Sequence, residues 1–193
     1  GNTFRHTDGN DYYFVYLTYA SSGGVSLDFL SILDATAEFT LTRNENPVTL
    51  DGIAPVDTLI NEFGILETAA LEFRAAVGDD EARIVRVIVT RDASGNVTST
   101  SDELVLTASD VPDAPTSGAD QEKALLVAAL RTTGVRRFRY LVSTSFAKGD
   151  YELSFAADAF KHVDTTSEEG VTTPGVANEA FTLSFVVEGA SAR

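Results

Sequence analysis

The carboxylates are the residues of this chain whose spacing suits a definite chemistry. Three stretches set oxygen donors close together: "DGNDY" (8–12) carries Asp8, Asn10 and Asp11, "GDDE" (78–81) carries Asp79 and Asp80, and "SDVPDAP" (109–115) carries Asp110 and Asp113. A hard cation such as Ca2+ takes about six to eight oxygen ligands, and close-set Asp, Asn and backbone carbonyls supply them. These residues are therefore the expected Ca2+ ligands. Each stretch also reads as an ordinary solvated turn, and none follows the EF-hand pattern. A fourth stretch, "DASGN" (92–96), is already explained by a turn, because Asp, Asn and Gly tolerate the backbone angles a turn demands.

Hydrolytic chemistry is less well provided. A nucleophilic Ser needs a base beside it. The two His, His6 and His162, both sit in polar stretches typical of termini and loops. No G-x-S-x-G elbow and no H-E-x-x-H helix occurs. Paired carboxylates could serve a glycosidase, but acidic residues this numerous are mostly solvated loop charges. The expectation is a protein that is not an enzyme. The absence of Cys excludes a disulfide framework and a thiolate metal site.

Charge narrows the partners. Asp plus Glu number 29 against 14 Lys plus Arg, a formal −15. A phosphate-binding surface needs clustered positive charge, so nucleic acid is not an expected partner. The Arg concentrate mid-chain, at Arg83, Arg86, Arg91, Arg131, Arg136, Arg137 and Arg139. They read either as a stripe that meets the acidic part of a neighbouring copy or as strand-face charges that discourage edge aggregation. No apolar run reaches the roughly 18 residues of a membrane helix, and no signal peptide opens the chain. Direct membrane insertion is not expected.

The elements that must position these residues follow a period of two. "YYFVYLTYA" (12–20) is aromatic and β-branched, and its Tyr12, Phe14, Tyr16 face reads as buried core, intermodule interface or sugar-stacking platform. "AEFTLT" (37–42), "ALEFRAA" (70–76) and "VRRFRYLVS" (135–143) alternate, the last with Phe138, Tyr140 and Val142 inward and Arg137 and Arg139 outward. "ARIVRVIVTRD" and "NVTSTSDELVLTA" flank the turn at 92–96, so 82–108 reads as a long hairpin. "GDYELSFAADAF" (149–160) turns Tyr151, Leu153 and Phe155 to one face, and the last strand does the same with Phe181, Leu183, Phe185 and Val187. "QEKALLVAALRTTG" is ambiguous: Asp120 could cap a helix and Gly134 could end one, while a strand turning at "TTG" competes. "LDFLSILD" (27–34) and "VDTLINEF" (56–63) each predict a short turn of helix. Nine to eleven short antiparallel strands with minor helix predict an all-β β-sandwich of two packed sheets.

Two stretches resemble the immunoglobulin-like repeats of very large bacterial surface and secreted proteins, including RTX-type adhesins. One is "YFVYLTYASSGGVSLDFLSILDATAEFTLT" (13–42). The other joins "FRYLVSTSFAKGDYELSFAADAF" (138–160) to "ANEAFTLSFVVEG" (177–189). The resemblance covers about half the chain. Two features depart from it. The loop "KHVDTTSEEGVTTPGVAN" after Phe160 is longer and more acidic than the short turn of those repeats. The 52–120 segment reads as an inserted hairpin lobe within a single 1–193 domain.

The resemblance implies an extracellular, cell-surface, non-enzymatic structural or adhesion module, stiffened by Ca2+. Its partners would be neighbouring modules, copies of the same protein, or a surface ligand such as a glycan. Two other readings are a self-assembling filament or surface-layer subunit joined by strand exchange, and a carbohydrate- or peptide-binding module.

Overall fold

A computed structural model describes residues 3–5, 11–19, 26–33, 38–60, 66–92, 97–142, 146–167 and 170–188. The first strands in chain order are β1 (Thr3–Arg5), β2 (Asp11–Thr18), β3 (Phe39–Arg43), β4 (Asn46–Val48) and β5 (Leu50–Ile60). Next come β6 (Leu66–Arg74), β7 (Arg83–Arg91), β8 (Val97–Thr107) and β9 (Arg137–Val142). The last are β10 (Gly149–Phe155), β11 (Thr165–Thr166), β12 (Thr172–Thr173) and β13 (Phe181–Val187). The described residues also form two helices, α1 (Phe29–Ile32) and α2 (Gly118–Thr133), and a 3-10 turn at Ala108–Asp110. The chain is thus mostly β, its paired strands run antiparallel, and helix is minor.

The chain divides into two compact units. One comprises residues 2–18 and 52–141 and holds a seven-stranded sheet of order β1-β2-β9-β5-β6-β7-β8. The expected hairpin is present as β7 and β8, paired from Arg83↔Thr107 to Arg91↔Val97. Its Ile- and Val-rich first strand buries Ile84, Val85 and Val87, as β-branched side chains on a pleated surface should.

Helix α2 belongs to this unit and settles the ambiguous stretch. Its N-cap is the extended Ser117 rather than Asp120, which instead lies in the first turn, where the helix dipole favours an acid. Gly134 ends it in the left-handed region (φ 70°), and its N–H donates to the Leu130 carbonyl. Leu125, Ala129 and Leu130 are buried at helical spacing. The turn of helix expected at 56–63 is not what forms. Residues 56–60 belong to β5, whose Val56 is fully buried and faces Ala70 across the ladder. A non-local strand partner outweighs a weak local helical preference, and residues 61–63 lie outside the described set.

On β9, Phe138, Tyr140 and Val142 are buried as expected. Its arginines are not simple surface charges. The Arg137 guanidinium lies 4.6 Å from the Tyr16 ring centroid, a cation–π contact. Burial pulls the Arg139 guanidinium below its usual pKa, against opposing pulls from Tyr16 and Glu72. Arg83 and Arg86 pair locally with Asp80 and Glu103.

The second unit comprises Gly1 with residues 19–51 and 142–193. It holds a four-stranded sheet of order β13-β10-β3-β4 and a two-stranded ribbon of β11 and β12. The expected turn of helix at 27–34 is α1, with Asp28 capping the Leu30 N–H. A tight turn at Asn44 and Glu45, both at positive φ, joins β3 to β4. The Asn44 side chain also accepts from the Asp150 N–H at 2.9 Å, tying that turn to β10.

Candidate interaction surface

The registers of the four-stranded sheet place one apolar row across three strands. Tyr151, Leu153 and Phe155 on β10 oppose Arg43, Leu41 and Phe39 on β3, and Phe185, Leu183 and Phe181 on β13. Aromatic stacking fixes the row: Phe155 lies on Phe181 with centroids 4.4 Å apart, and Tyr151 on Phe185 at 5.1 Å. The Tyr151 hydroxyl donates to the Ala147 carbonyl at 3.0 Å. Burial fades across the row. Leu153 is 3% exposed, whereas its β13 neighbour Leu183 is 46% exposed and Phe181 is 39% exposed.

Strand β13 is also a sheet edge. Among the described residues its outer side pairs with no strand. The other edges of the two larger sheets carry devices that block strand addition. Strand β4 is three residues long and contains Pro47, which has no N–H to offer. Strand β1 is three residues long. Strand β8 is long but carries Asp102 and Glu103 among Ser and Thr. Strand β13, "FTLSFVV", has seven residues, no charge and no Pro. It is the described edge best suited to accept another strand through backbone hydrogen bonds, with side-chain rows giving selectivity.

The long loop after Phe160 sets where β13 begins. Its described residues form an antiparallel excursion rather than a plain polar loop. Lys161 bridges Ala177, the His162 N–H donates to the Val176 carbonyl, and Thr165 and Thr166 pair with Thr173 and Thr172. Asn178 closes its base: its Oδ1 accepts from the Phe160 N–H at 2.9 Å and its Nδ2 donates to the Ala156 carbonyl at 2.7 Å. Gly175 lies directly against the other limb, where an added Cβ would meet the His162 carbonyl oxygen at 1.8 Å. The sequence signals were the Asn and Gly themselves, whose structural work depends on contacts many residues away.

An open groove of about 730 Å³ crosses the same sheet, lined by Thr42, Asn44, Glu45, Asp150, Glu152 and Ser184 together with Tyr151, Phe185 and Val186. Three of those side chains are carboxylates and three carry hydroxyls.

The residues expected to hold Ca2+ fall in separate places. Asp8 and Asn10 lie outside the described residues, and only the backbone of Asp11 is described, at the start of β2. Asp79 and Asp80 sit in the turn before β7, where Asp80 pairs with Arg83 at 3.5 Å. Asp110 accepts from the N–H and hydroxyl of Thr107 at 2.7 and 3.0 Å, and these bonds hold its carboxyl below the usual range. Glu81 is lowered in the same way by Ser109. Asp113 occupies a turn at φ 61°. Among the described residues no group of three or more Asp, Glu or His side chains comes together. His6 is outside the described residues, and His162 belongs to the ribbon. No described helix is long and apolar enough to cross a membrane.

Comparison with protein-family models, with curated proteins and with solved structures finds no match.

Proposed function

We propose that the chain is a non-enzymatic structural or adhesion module of an extracellular bacterial surface protein, built as an immunoglobulin-like sandwich and joined to its neighbours through β13. The observation that carries this reading is the uncharged, Pro-free, partly open edge of β13 beside three blocked edges. The resemblance of 13–42, 138–160 and 177–189 to surface-protein repeats supports the placement outside the cell. The test is strand capture. Labelled chain should take up heptapeptides that alternate apolar and polar residues, and Leu183→Lys, on a half-open side chain, should abolish uptake while the protein stays folded. Failure to take up any such peptide would remove β13 as the joining element.

Ca2+ is proposed as a stiffener of the acidic turns, in particular the one holding Asp79 and Asp80. It would offset part of the −15 charge. Saturating Ca2+ should raise the melting temperature by several degrees over a chelator, since about 1 kcal/mol shifts Tm by roughly 2–4 °C at this size. Superimposable melts would contradict the cation.

A second reading, glycan binding, is favoured by the groove over Thr42, Glu45, Asp150, Glu152 and Ser184, whose hydroxyls and carboxylates suit sugar hydroxyls.

A further inference from the structure

From the pattern of β13 we infer that its partner is the β13 edge of a second copy of this chain, paired antiparallel about a twofold axis through Ser184. This rests on the proposed role of β13 as a joining edge and names what it joins. Geometry limits the register, and the extent of the strand selects it. Two copies of one strand, paired antiparallel in a continuous sheet, are related by a twofold axis normal to that sheet, and opposed residues share a face. Opposed residue numbers must then sum to one even value, or the apolar and polar faces would be exchanged. The register that uses the whole of Phe181–Val187 sets Phe181 opposite Val187, Thr182 opposite Val186, Leu183 opposite Phe185 and Ser184 opposite itself. Phe181 and Leu183, the open members of the apolar row, each gain an apolar neighbour on their own face.

The joined sheet also ends well. Its order becomes β4-β3-β10-β13-β13-β10-β3-β4, so both outer edges are the short, Pro47-bearing β4. Association through β13 therefore closes as a dimer, unlike the open filament that strand exchange between unlike edges would build.

Charge distinguishes this partner from a basic one. Residues 180–187 carry no charge, while Glu179 and Glu188 flank them and each copy bears −15. Like-charged copies repel, and salt screens that repulsion, so the dimer strengthens as ionic strength rises. A complex with a basic strand would weaken. Seven residues a side is far fewer than the roughly 20–30 of a standard interface. The dimer is therefore weak, with a dissociation constant on the order of 10–100 µM.

The experiment is oxidative cross-linking of Ser184→Cys and Thr182→Cys chains, made clean by the absence of native Cys. Both side chains are exposed on β13. The twofold brings the two 184 positions to a Cβ separation of about 4.5–5.5 Å. It leaves the two 182 positions about 13 Å apart along the strands. S184C should cross-link at least about tenfold faster than T182C, and faster at high salt than at low. T182C mixed with Val186→Cys should match S184C. Equal rates for S184C and T182C would overturn the register. No S184C cross-link at several hundred micromolar would overturn the second copy as partner. Heptapeptide capture, measured separately, would still stand or fall with the joining role of β13.

Discussion

Phe155→Ala is expected to destabilise the four-stranded unit by about 3–5 kcal/mol, the range for deleting a buried aromatic ring. Phe155 is 5% exposed and sits at the crossing of three ring contacts. Phe181 stacks on it at 4.4 Å, Phe39 lies at 5.3 Å and Phe160 meets it edge-on at 6.2 Å. Its loss opens a cavity and removes the surface on which the edge residue Phe181 rests. Urea titration of the variant should show a lower midpoint with an unchanged slope. Leu30→Ser is the control, because Leu30 is 50% exposed and surface changes of this kind stay within about 0.5 kcal/mol. Equal stability of Phe155→Ala and wild type would mean that the aromatic row is not the core of this unit.

Gly175→Ala is expected to have the second largest effect. The added Cβ would lie 1.8 Å from the His162 carbonyl oxygen and 2.5 Å from its carbon, both backbone atoms that no rotamer change can move aside. The limbs of the 161–178 excursion must separate. That strains the His162 N–H to Val176 carbonyl bond and the 2.8 Å bond from the Gly175 N–H to Asp164 Oδ1. Overpacking of this kind costs about 1–3 kcal/mol. Amide exchange should quicken at His162 and Asn178 together, because Asn178 closes the base of the same ribbon. Gly52→Ala is the contrast: a Cβ there meets nothing within 4 Å. Similar exchange in Gly175→Ala and wild type would mean the two limbs are not packed as described.

The strands were legible wherever burial alternates along a single segment. Tyr151, Leu153 and Phe155, and Phe138, Tyr140 and Val142, announce their buried face by period two alone. The 56–63 stretch misled because its apolar spacing fits a helix locally, while the partner that makes it a strand, Ala70 opposite Val56, lies on a different strand, β6. The 118–133 stretch stayed ambiguous because Ala and Leu fill either element; the positive φ at Gly134 decides it.

The candidate surface was half legible. The apolar face of Phe181, Leu183 and Phe185 is written in the alternation. That β13 is an edge is not, because edge position depends on the order β13-β10-β3-β4, which no local pattern encodes. The loop after Phe160 stood out by length and acidity, but its ribbon form rests on Asn178 reaching back to Ala156 and Phe160. The acidic stretches were read from spacing, and spacing does not reveal that Asp110 serves Thr107 and Asp80 serves Arg83.

Amide hydrogen exchange across β13, with and without a synthetic heptapeptide of sequence FTLSFVV, tests the role of this strand most directly. Outward-pointing amides within Phe181–Val187 should slow by at least about tenfold when the peptide is present, those of the Pro47-bearing β4 edge should not change, and Leu183→Lys should erase the effect. Unaltered exchange throughout Phe181–Val187, or equal slowing at β4, would contradict the account.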